Sequence, residues 1–354
     1  MLKGSFMGFE YINEEQKIRI SLSRRAYNVM LDDMSIFGVN HPATFINTVV
    51  ENFREDSMAT LTNYLEQIRN NLYTEFDSAN IDNDSKTVLI NHVYNQRKEK
   101  TIQILNEFMK EKTFSKLYHL NNNNTDYLKY YCSEESFYKE RPGLYIKCII
   151  EEYCSLPFIE REKIYRKEIF EIINNACTNN QLMQVRVNVR GKLKTLFVYP
   201  YRIVADDMNT QSYLACYTRE YGQSSKEKID ASFTMARIPK PTLLKQKAFL
   251  SKEEQRKIED DIEKLSINFL LEKESEIHVR LTKIGKVNYH NHITSRPPKD
   301  DILSTEDEYV FHCSENQAFY YFYSFGENAE IISPKSLRNR IINSHKKTLT
   351  MYEN

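Results

Sequence analysis

The sequence has little glycine, no tryptophan and no net charge. Only 8 of its 354 residues are glycine, which argues against glycine-rich phosphate loops and dinucleotide folds, because these need glycine at fixed positions. Lys plus Arg and Asp plus Glu both number 49, so a uniformly basic nucleic-acid-binding protein is excluded. A basic patch that acidic segments balance elsewhere is compatible with these counts. The length fits two or three domains.

Paired cysteines and long apolar runs are also missing. The six cysteines form no C-x-x-C pair and have no histidine at zinc-finger spacing, so we expect reduced thiols and no metal site. No stretch approaches the roughly 18 apolar residues of a membrane helix, and the first residues, MLKGSFMGFEYINEEQK, lack the apolar centre of a signal peptide. We therefore expect a cytoplasmic protein without a membrane partner and without a cofactor.

The positive charge that is present is concentrated in particular segments. Residues 181–250 carry 12 basic and 5 acidic side chains, a net charge of +7. Residues 16–25 add four basic side chains and no acidic one. Localised basic segments are typical of proteins that offer one face to a polyanion. Solvated surface charge is the alternative for any single run.

The first patterned segment predicts a strand followed by two helices. Residues 17–23 read KIRISLS, in which apolar and polar side chains alternate, as in a half-buried strand. Apolar residues then recur at helical spacing over 24–37 and, after a short turn, over 40–53. One strand and two helices bury little core by themselves. We therefore expect this segment to pair with another copy of itself or to join a larger domain.

This order resembles the ribbon-helix-helix family of dimeric DNA-binding domains, and we assign it to residues 13–55. The resemblance implies that two chains pair their strands into an antiparallel ribbon. It also implies that Lys17, Arg19 and Ser21 point outward into the major groove of DNA. The alternative is an edge strand with two helices that belong to a larger domain.

The rest of the chain predicts a helical segment, a barrel and a mixed unit. Helical spacing dominates residues 56–180. Four short strands separated by turns predict a small β-barrel over 181–248. A capping box opens a linker helix over 249–276. The tail, 277–354, predicts an α+β unit that begins with a strand over 277–284. The predicted fold class is multidomain α+β.

The barrel segment resembles the WYL domain, a small Sm-like barrel of bacterial regulators. The matching features are a proline at a strand end, a Tyr-Leu pair, and an aromatic residue followed by Arg-Ile. These residues are Pro200, Tyr213, Leu214, Phe233, Arg237 and Ile238. The tail resembles the extension that often follows this domain and often makes dimer contacts. The segment departs from the family at Ser212, where the tryptophan stands, and at Thr234, where an arginine is common.

The WYL resemblance implies a site for single-stranded nucleic acid or a nucleotide effector. Arginines beside tyrosines suit phosphates and stacked bases, and each stacked base contributes about 1–3 kcal/mol. The candidate binding residues are Arg186, Arg190, Tyr201, Arg202, Tyr213 and Arg237. For each tyrosine, packing in a core or an interface is the alternative.

No motif for catalysis is found in the sequence. G-x-S-x-G, H-E-x-x-H and the P-loop pattern are all missing, so we expect no catalytic residues. His290 and His292 would share a face if they lay on a strand, but no third ligand is close in sequence. We therefore expect neither a catalytic nor a metal site there.

Together, the two resemblances indicate a homodimeric regulator that binds nucleic acid. A ribbon-helix-helix unit before a WYL barrel resembles the accessory proteins of type VI-D RNA-targeting CRISPR systems. That resemblance implies binding of single-stranded RNA and modulation of a CRISPR effector nuclease. The first alternative is a transcriptional regulator that binds duplex DNA through the ribbon and senses an effector through the barrel. The second alternative is a protein-interaction scaffold.

Overall fold

The chain folds into two compact units, residues 1–167 and 168–354, in a computed structural model. The structure describes residues 16–77, 82–132, 137–189, 192–206, 208–222, 227–265, 267–269 and 274–353. Both units combine helices with β-sheet, which confirms the predicted mixed α+β class. Within these described segments, no helix is long and apolar enough to cross a membrane.

The first unit consists of one two-stranded sheet and a set of helices. In chain order its elements are β1 (Lys17–Leu22), α1 (Arg24–Phe37), α2 (Pro42–Phe53), α3 (Leu61–Asp77), α4 (Asn83–Lys110), β2 (Phe114–His119), α5 (Asn122–Tyr131), α6 (Pro142–Ser155) and α7 (Phe158–Tyr165).

The first three elements form where the sequence pattern predicts them. The alternation in β1 places Ile18, Ile20 and Leu22 in the core, where all three are buried. Ser23 starts α1 by accepting a hydrogen bond from a backbone amide of the first turn. Gly38 ends α1 in the left-handed backbone region, with φ of 72°, which glycine adopts at little cost.

The partner of β1 is β2 of the same chain, within a segment that the sequence analysis predicts as helical. The two strands are antiparallel and in register along all six residues of each. The second chain that the family resemblance implies is therefore not needed to complete this sheet. The alternation in β2 is hidden because Lys116, opposite Ile20, faces the core side. Its ammonium lies 4.8 Å from the centre of the Tyr27 ring, at the edge of the core.

The segment β2–α5–α6 repeats the order of β1–α1–α2, and the two segments pack against each other. Helix α6 contacts β1 and α1, whereas α2 contacts β2 and α5, and α2 and α6 also contact each other. Both second helices begin with a proline in the first turn, Pro42 in α2 and Pro142 in α6. One continuous apolar core joins the two segments. The helices α3 and α4, which contact each other, connect them in sequence.

The second unit contains a five-stranded sheet and a separate four-stranded sheet. Its elements are α8 (Lys167–Thr178), β3 (Gln181–Val189), β4 (Lys192–Ala205), β5 (Ser212–Glu220), β6 (Ile229–Thr234), β7 (Thr242–Lys247), α9 (Lys252–Leu265), β8 (Glu274–Leu281), α10 (Lys283–Asn291), β9 (Lys299–Asp300), β10 (Glu308–Ser314), α11 (Glu315–Tyr323), β11 (Ala329–Ser333) and α12 (Lys335–Glu353).

The five-stranded sheet has the order β6-β5-β4-β3-β7. One face of this sheet, which we call the inner face, packs on α8 through side chains such as Val185, Val198 and Leu214. The sequence pattern predicts four of these strands but not β7. That strand lies at a sheet edge with almost all of its side chains exposed, so it shows no apolar alternation.

Two predicted strands are shorter in the structure than the sequence indicates. Strand β6 ends at Thr234, and residues 235–237 form a turn in which Met235 is buried. The strand predicted over 277–284 stops at Leu281. Thr282 then caps helix α10 by accepting a hydrogen bond from the Gly285 amide at 3.1 Å. The helix α9 covers only the first part of the predicted linker helix.

The four-stranded sheet has the order β11-β8-β10-β9. Ile277, Val279 and Phe311 on one of its faces join Phe322 of α11 and Leu337 of α12 in a separate core. This part of the chain thus contains the sheet and the two terminal helices that the sequence predicts, with α10 added.

Candidate nucleic-acid interface

The outward face of the β1–β2 pair carries three side chains from each strand. Opposed residues of an antiparallel pair share a face, so the residues opposite the buried isoleucines point inward and the remaining residues point outward. The outward residues are Lys17, Arg19, Ser21, Ser115, Leu117 and His119. The hydroxyl oxygens of Ser21 and Ser115 lie 3.0 Å apart, and Leu117 is 55% exposed. We call this surface the ribbon face.

A cavity of about 370 Å³ lies beside the ribbon face, next to the start of α6. Its basic lining residues are Arg19, Lys112, Arg141 and Lys147. Lys147 is almost fully buried, its ammonium donates a hydrogen bond to the Glu111 carbonyl, and burial lowers its pKa. Helix α6 can approach β1 closely because a Cβ at Gly143 would collide with the Arg19 carbonyl oxygen. The lining at this edge of the ribbon face thus has four basic residues against one acidic residue, Glu140.

The outer face of the five-stranded sheet, opposite α8, has an open part where arginines meet aromatic rings. Arg219 is directly opposite Phe197, and its guanidinium carbon lies 5.3 Å from the centre of that ring. The Tyr221 ring centre is 5.5 Å from Phe197, and Tyr221 is 64% exposed. Arg186 is opposite Thr195, whose carbonyl accepts the Tyr221 amide at 2.9 Å. We call Arg186, Phe197, Arg219 and Tyr221 the open patch.

Helix α9 covers a second part of the same outer face. Ile258 and Ile262 of α9 pack into a small cluster of tyrosines and apolar side chains. The sheet residues of this cluster, with the adjacent Arg202, are Tyr199, Tyr201, Arg202, Val204, Tyr213, Ala215 and Tyr217. We call these sheet residues the covered surface. The hydroxyl of Tyr217 donates to the Glu254 carbonyl at 3.3 Å, so the polar ends of the rings also meet the helix.

A carboxylate of α9 holds two of the predicted binding residues. Glu259 accepts a hydrogen bond from the Tyr201 hydroxyl at 2.6 Å and two from the Arg202 guanidinium at 3.0 and 2.6 Å. The Arg202 hydrogen bond lowers the pKa of Glu259, and the Glu259 hydrogen bond raises the pKa of Tyr201. Nearby, the Lys228 ammonium pairs with Glu254 at 2.8 Å.

The structure brings the predicted barrel residues together only in part. Tyr201, Arg202 and Tyr213 belong to the covered surface, whereas Arg186 belongs to the open patch. Arg237 is exposed on the turn after β6. Arg190 lies outside the described residues.

A bulge in β4 explains why the covered residues cluster. The pairing of β4 with β5 shifts between Pro200 and Arg202, so Tyr201 is an extra residue on that strand. After the shift, Arg202 is opposite Ala215 and remains on the outer face. Simple alternation along the sequence would have turned it inward.

The sequence pattern did not single out Phe197, Arg219 and Tyr221. Their common face depends on the register between β4 and β5, which the sequence does not give. Residues 196–199 read LFVY, a continuous apolar run in which alternation could not single out Phe197. On the ribbon face, Ser115, Leu117 and His119 were missed because β2 was predicted as helix.

The histidines His290 and His292 lie at the end of helix α10 and just after it. In the part of the chain that the structure describes, no group of three or more histidine, cysteine or carboxylate side chains could hold a metal ion. Among the aromatic rings of the open patch and the covered surface, that of Tyr221 is directed to solvent, whereas the tyrosines of the covered surface pack against α9.

Comparison with known proteins gives a likeness of fold. No protein-family model matches the chain, and no curated protein is significantly similar to it in sequence. A solved structure of proteasome accessory factor B/C of Arthrobacter aurescens shares 14% identity over 63% of this chain and 33% of that one, with a TM-score of 0.28. A solved structure described as a CRISPR Cas-related protein matches 95% of this chain and 94% of that chain, with 21% identity and a TM-score of 0.66. The chain therefore shares its fold with a CRISPR Cas-related protein along nearly its whole length.

Proposed function

We propose that the protein is a non-enzymatic regulator that binds single-stranded RNA on the open patch of its five-stranded sheet. The observation that carries the proposal is the stacking of Arg219 on Phe197 beside the exposed ring of Tyr221. Single-stranded nucleic acids bind to such surfaces by stacking bases on aromatic rings and placing phosphates against cations.

The roles of the patch residues follow from their positions. Tyr221 offers the most exposed ring to a base, and Phe197 supports it from the sheet. Arg186 on β3 and Arg219 on β5, the two strands that flank β4, supply positive charge for the phosphates. The local segment is strongly basic, so the wider field also attracts a polyanion.

The sheet order supports the proposal that this domain is an Sm-like barrel of the WYL type. Helix α8 precedes the five strands. The last strand, β7, pairs with the first strand, β3, as the first and last strands of a small five-stranded barrel do. The WYL family senses nucleic acid or nucleotides, which agrees with the open patch.

We also propose that the protein acts as an accessory of an RNA-targeting CRISPR effector nuclease. The likeness of fold to a CRISPR Cas-related protein over 95% of the chain supports this context. By the resemblance of its tail to the extension that follows WYL domains, we propose that the protein forms a homodimer through its C-terminal segment. We also propose that it acts in the cytoplasm.

A second candidate function is binding of duplex DNA through the ribbon face, as in a ribbon-helix-helix regulator. The outward position of Lys17, Arg19 and Ser21 on a two-stranded ribbon favours it, because the major groove of DNA accommodates such a ribbon.

Titration of labelled single-stranded RNA, single-stranded DNA and duplex DNA into the full chain at two salt concentrations tests both functions. The double variant Arg186→Gln with Arg219→Gln should lose most of its affinity for single-stranded RNA and keep duplex binding. The matched control is Arg280→Gln with Arg338→Gln, which removes the same charge from two arginines that pair with Glu330.

Unchanged RNA affinity in the patch variant would refute the assignment to the open patch. If the protein binds none of the three nucleic acids at low salt, both nucleic-acid functions are wrong and the scaffold alternative gains support.

A further inference from the structure

The ribbon face is complete within one chain. Its two strands, β1 and β2, belong to two strand–helix–helix segments that α3 and α4 separate in sequence, and the segments pack with exchanged contacts, α2 on β2 and α6 on β1. In a homodimeric ribbon both strands have the same sequence, so the two halves of the reading surface are identical by symmetry. Here the two strands have different sequences, so the halves differ.

The chemistry of the two halves is different. The β1 half offers Lys17, Arg19 and Ser21, two of which are cationic. The β2 half offers Ser115, Leu117 and His119, with Leu117 exposed at its centre directly opposite Arg19. An arginine and a leucine therefore occupy equivalent central positions.

We propose that a single chain reads a non-palindromic duplex DNA site with this ribbon face. The inference rests on the duplex-binding function proposed above. Arg19 and Lys17 have the donors that recognise guanine O6 and N7 in the major groove, whereas Leu117 suits the methyl group of thymine. A palindromic site presents the same bases to both halves, so only one half could be satisfied.

The flanks of the ribbon carry the same asymmetry. The basic cavity with Lys112, Arg141 and Lys147 adjoins β1. Helix α2 lies against β2, and its Asn47 side chain donates a hydrogen bond to the His119 carbonyl at 3.0 Å. The residue before α2 is His41, whereas the residue before α6 is Arg141. The basic cavity and the cationic β1 half of the ribbon face thus lie on the same side of the ribbon. Together they fix the direction in which the duplex is bound.

A crosslink tests whether one chain forms the ribbon. The full chain with Ser21→Cys and Ser115→Cys, which replace hydroxyl oxygens 3.0 Å apart, is oxidised and run on a non-reducing gel. We expect an internal crosslink in a monomeric band with both new thiols lost. A covalent dimer as the main product would overturn the inference.

Spin labels give a second measurement that does not require a disulfide. Labels placed by Arg19→Cys and Leu117→Cys occupy opposed positions. The short distance between them should persist when labelled protein is diluted with unlabelled chain. Loss of that distance on dilution would place the two strands in different chains and overturn the inference.

Selection from a pool of duplex DNA with a random centre tests whether the two halves of the ribbon face recognise different bases. We expect a non-palindromic consensus in which Arg19→Ala lowers affinity about 10-fold and relaxes one half only. Leu117→Ala should relax the other half by a smaller factor. A palindromic consensus that both variants relax equally in both halves would overturn the asymmetric reading.

The two kinds of test separate the inference from the function on which it rests. If the crosslink forms within one chain but no duplex is enriched, duplex binding is wrong and the one-chain ribbon stands. If duplexes are enriched but the crosslink joins two chains, duplex binding stands and the one-chain reading is wrong.

Discussion

The open patch and the covered surface are two parts of the same face of one sheet, and they have similar residues. Each combines arginine with aromatic rings: Arg219 with Phe197 in the open patch, and Arg202 with Tyr201 in the covered surface. They differ in what lies above them. The open patch directs Tyr221 to solvent, whereas α9 packs over the tyrosines and supplies Glu259 as an internal anion.

Residue type alone therefore does not identify a nucleic-acid-binding surface. Arg202 already has a carboxylate in a bidentate arrangement, the geometry that would otherwise suit a phosphate. A ligand at the covered surface would have to displace that carboxylate and the packed helix, whereas the Tyr221 ring of the open patch is already 64% exposed.

Removing the apolar anchor of α9 should have the largest effect. Ile258 is fully buried between the helix and the tyrosines, so Ile258→Ala should lower the free energy of unfolding by about 2–5 kcal/mol. Denaturant titration measures the change. Ile262→Ala is the matched control and should cost less, because Ile262 is only partly buried. Equal small losses in the free energy of unfolding of both variants would show that α9 packs loosely on the covered surface.

Removing a stacking ring from the open patch should come next. Phe197→Ala should weaken binding of single-stranded RNA by about 1–3 kcal/mol, because a base loses its support. Tyr201→Phe, which removes only the hydroxyl bound to Glu259, should leave that affinity unchanged. Fluorescence anisotropy measures both. The reverse ranking of the two variants would assign binding to the covered surface.

The salt dependence of RNA binding should distinguish the two arginines. Each phosphate contact that is lost reduces the log–log salt slope by about 0.7 for a single strand. Arg219→Gln should therefore give a shallower slope, whereas Arg202→Gln should leave it unchanged because its charge is engaged by Glu259. Titrations at several salt concentrations check this, and a shallower slope for Arg202→Gln alone would contradict it.

The ion pair of the covered surface should have the smallest effect. Arg202 lowers the pKa of Glu259 below its ordinary value of 4.5 in the folded protein. The pair therefore stabilises the fold above pH 4.5, and this stabilisation is lost as the pH falls through the lowered pKa.

Glu259→Gln should accordingly reduce the free energy of unfolding by about 0.2–1 kcal/mol near neutral pH, since both partners are exposed to solvent. The difference from the natural protein should vanish in acid. Unfolding curves at several pH values provide the measurement, and a difference that stays constant into acid would show that the carboxylate charge is not its source.

Prediction from sequence succeeded where a pattern is local. Alternation in β1 identified Lys17, Arg19 and Ser21 as one outward face. It failed for β2, because Lys116 on the core side breaks the alternation while its ammonium rests on Tyr27 at the edge of the core. Lys116 remains exposed although it is opposite the buried Ile20, because its side chain extends along the Tyr27 ring.

For the candidate site too, the sequence predicts only what depends on neighbouring residues. The sequence alone established a basic segment rich in aromatic residues, short strands at 181–234, and a strand followed by two helices at 17–53, because charge, alternation and capping are properties of neighbouring residues. The tertiary structure decided that β1 pairs with β2 of its own chain, and that Arg219 meets Phe197 while Arg202 meets Glu259. These choices depend on strand register, a bulge and the position of α9. All three depend on contacts between residues distant in the chain.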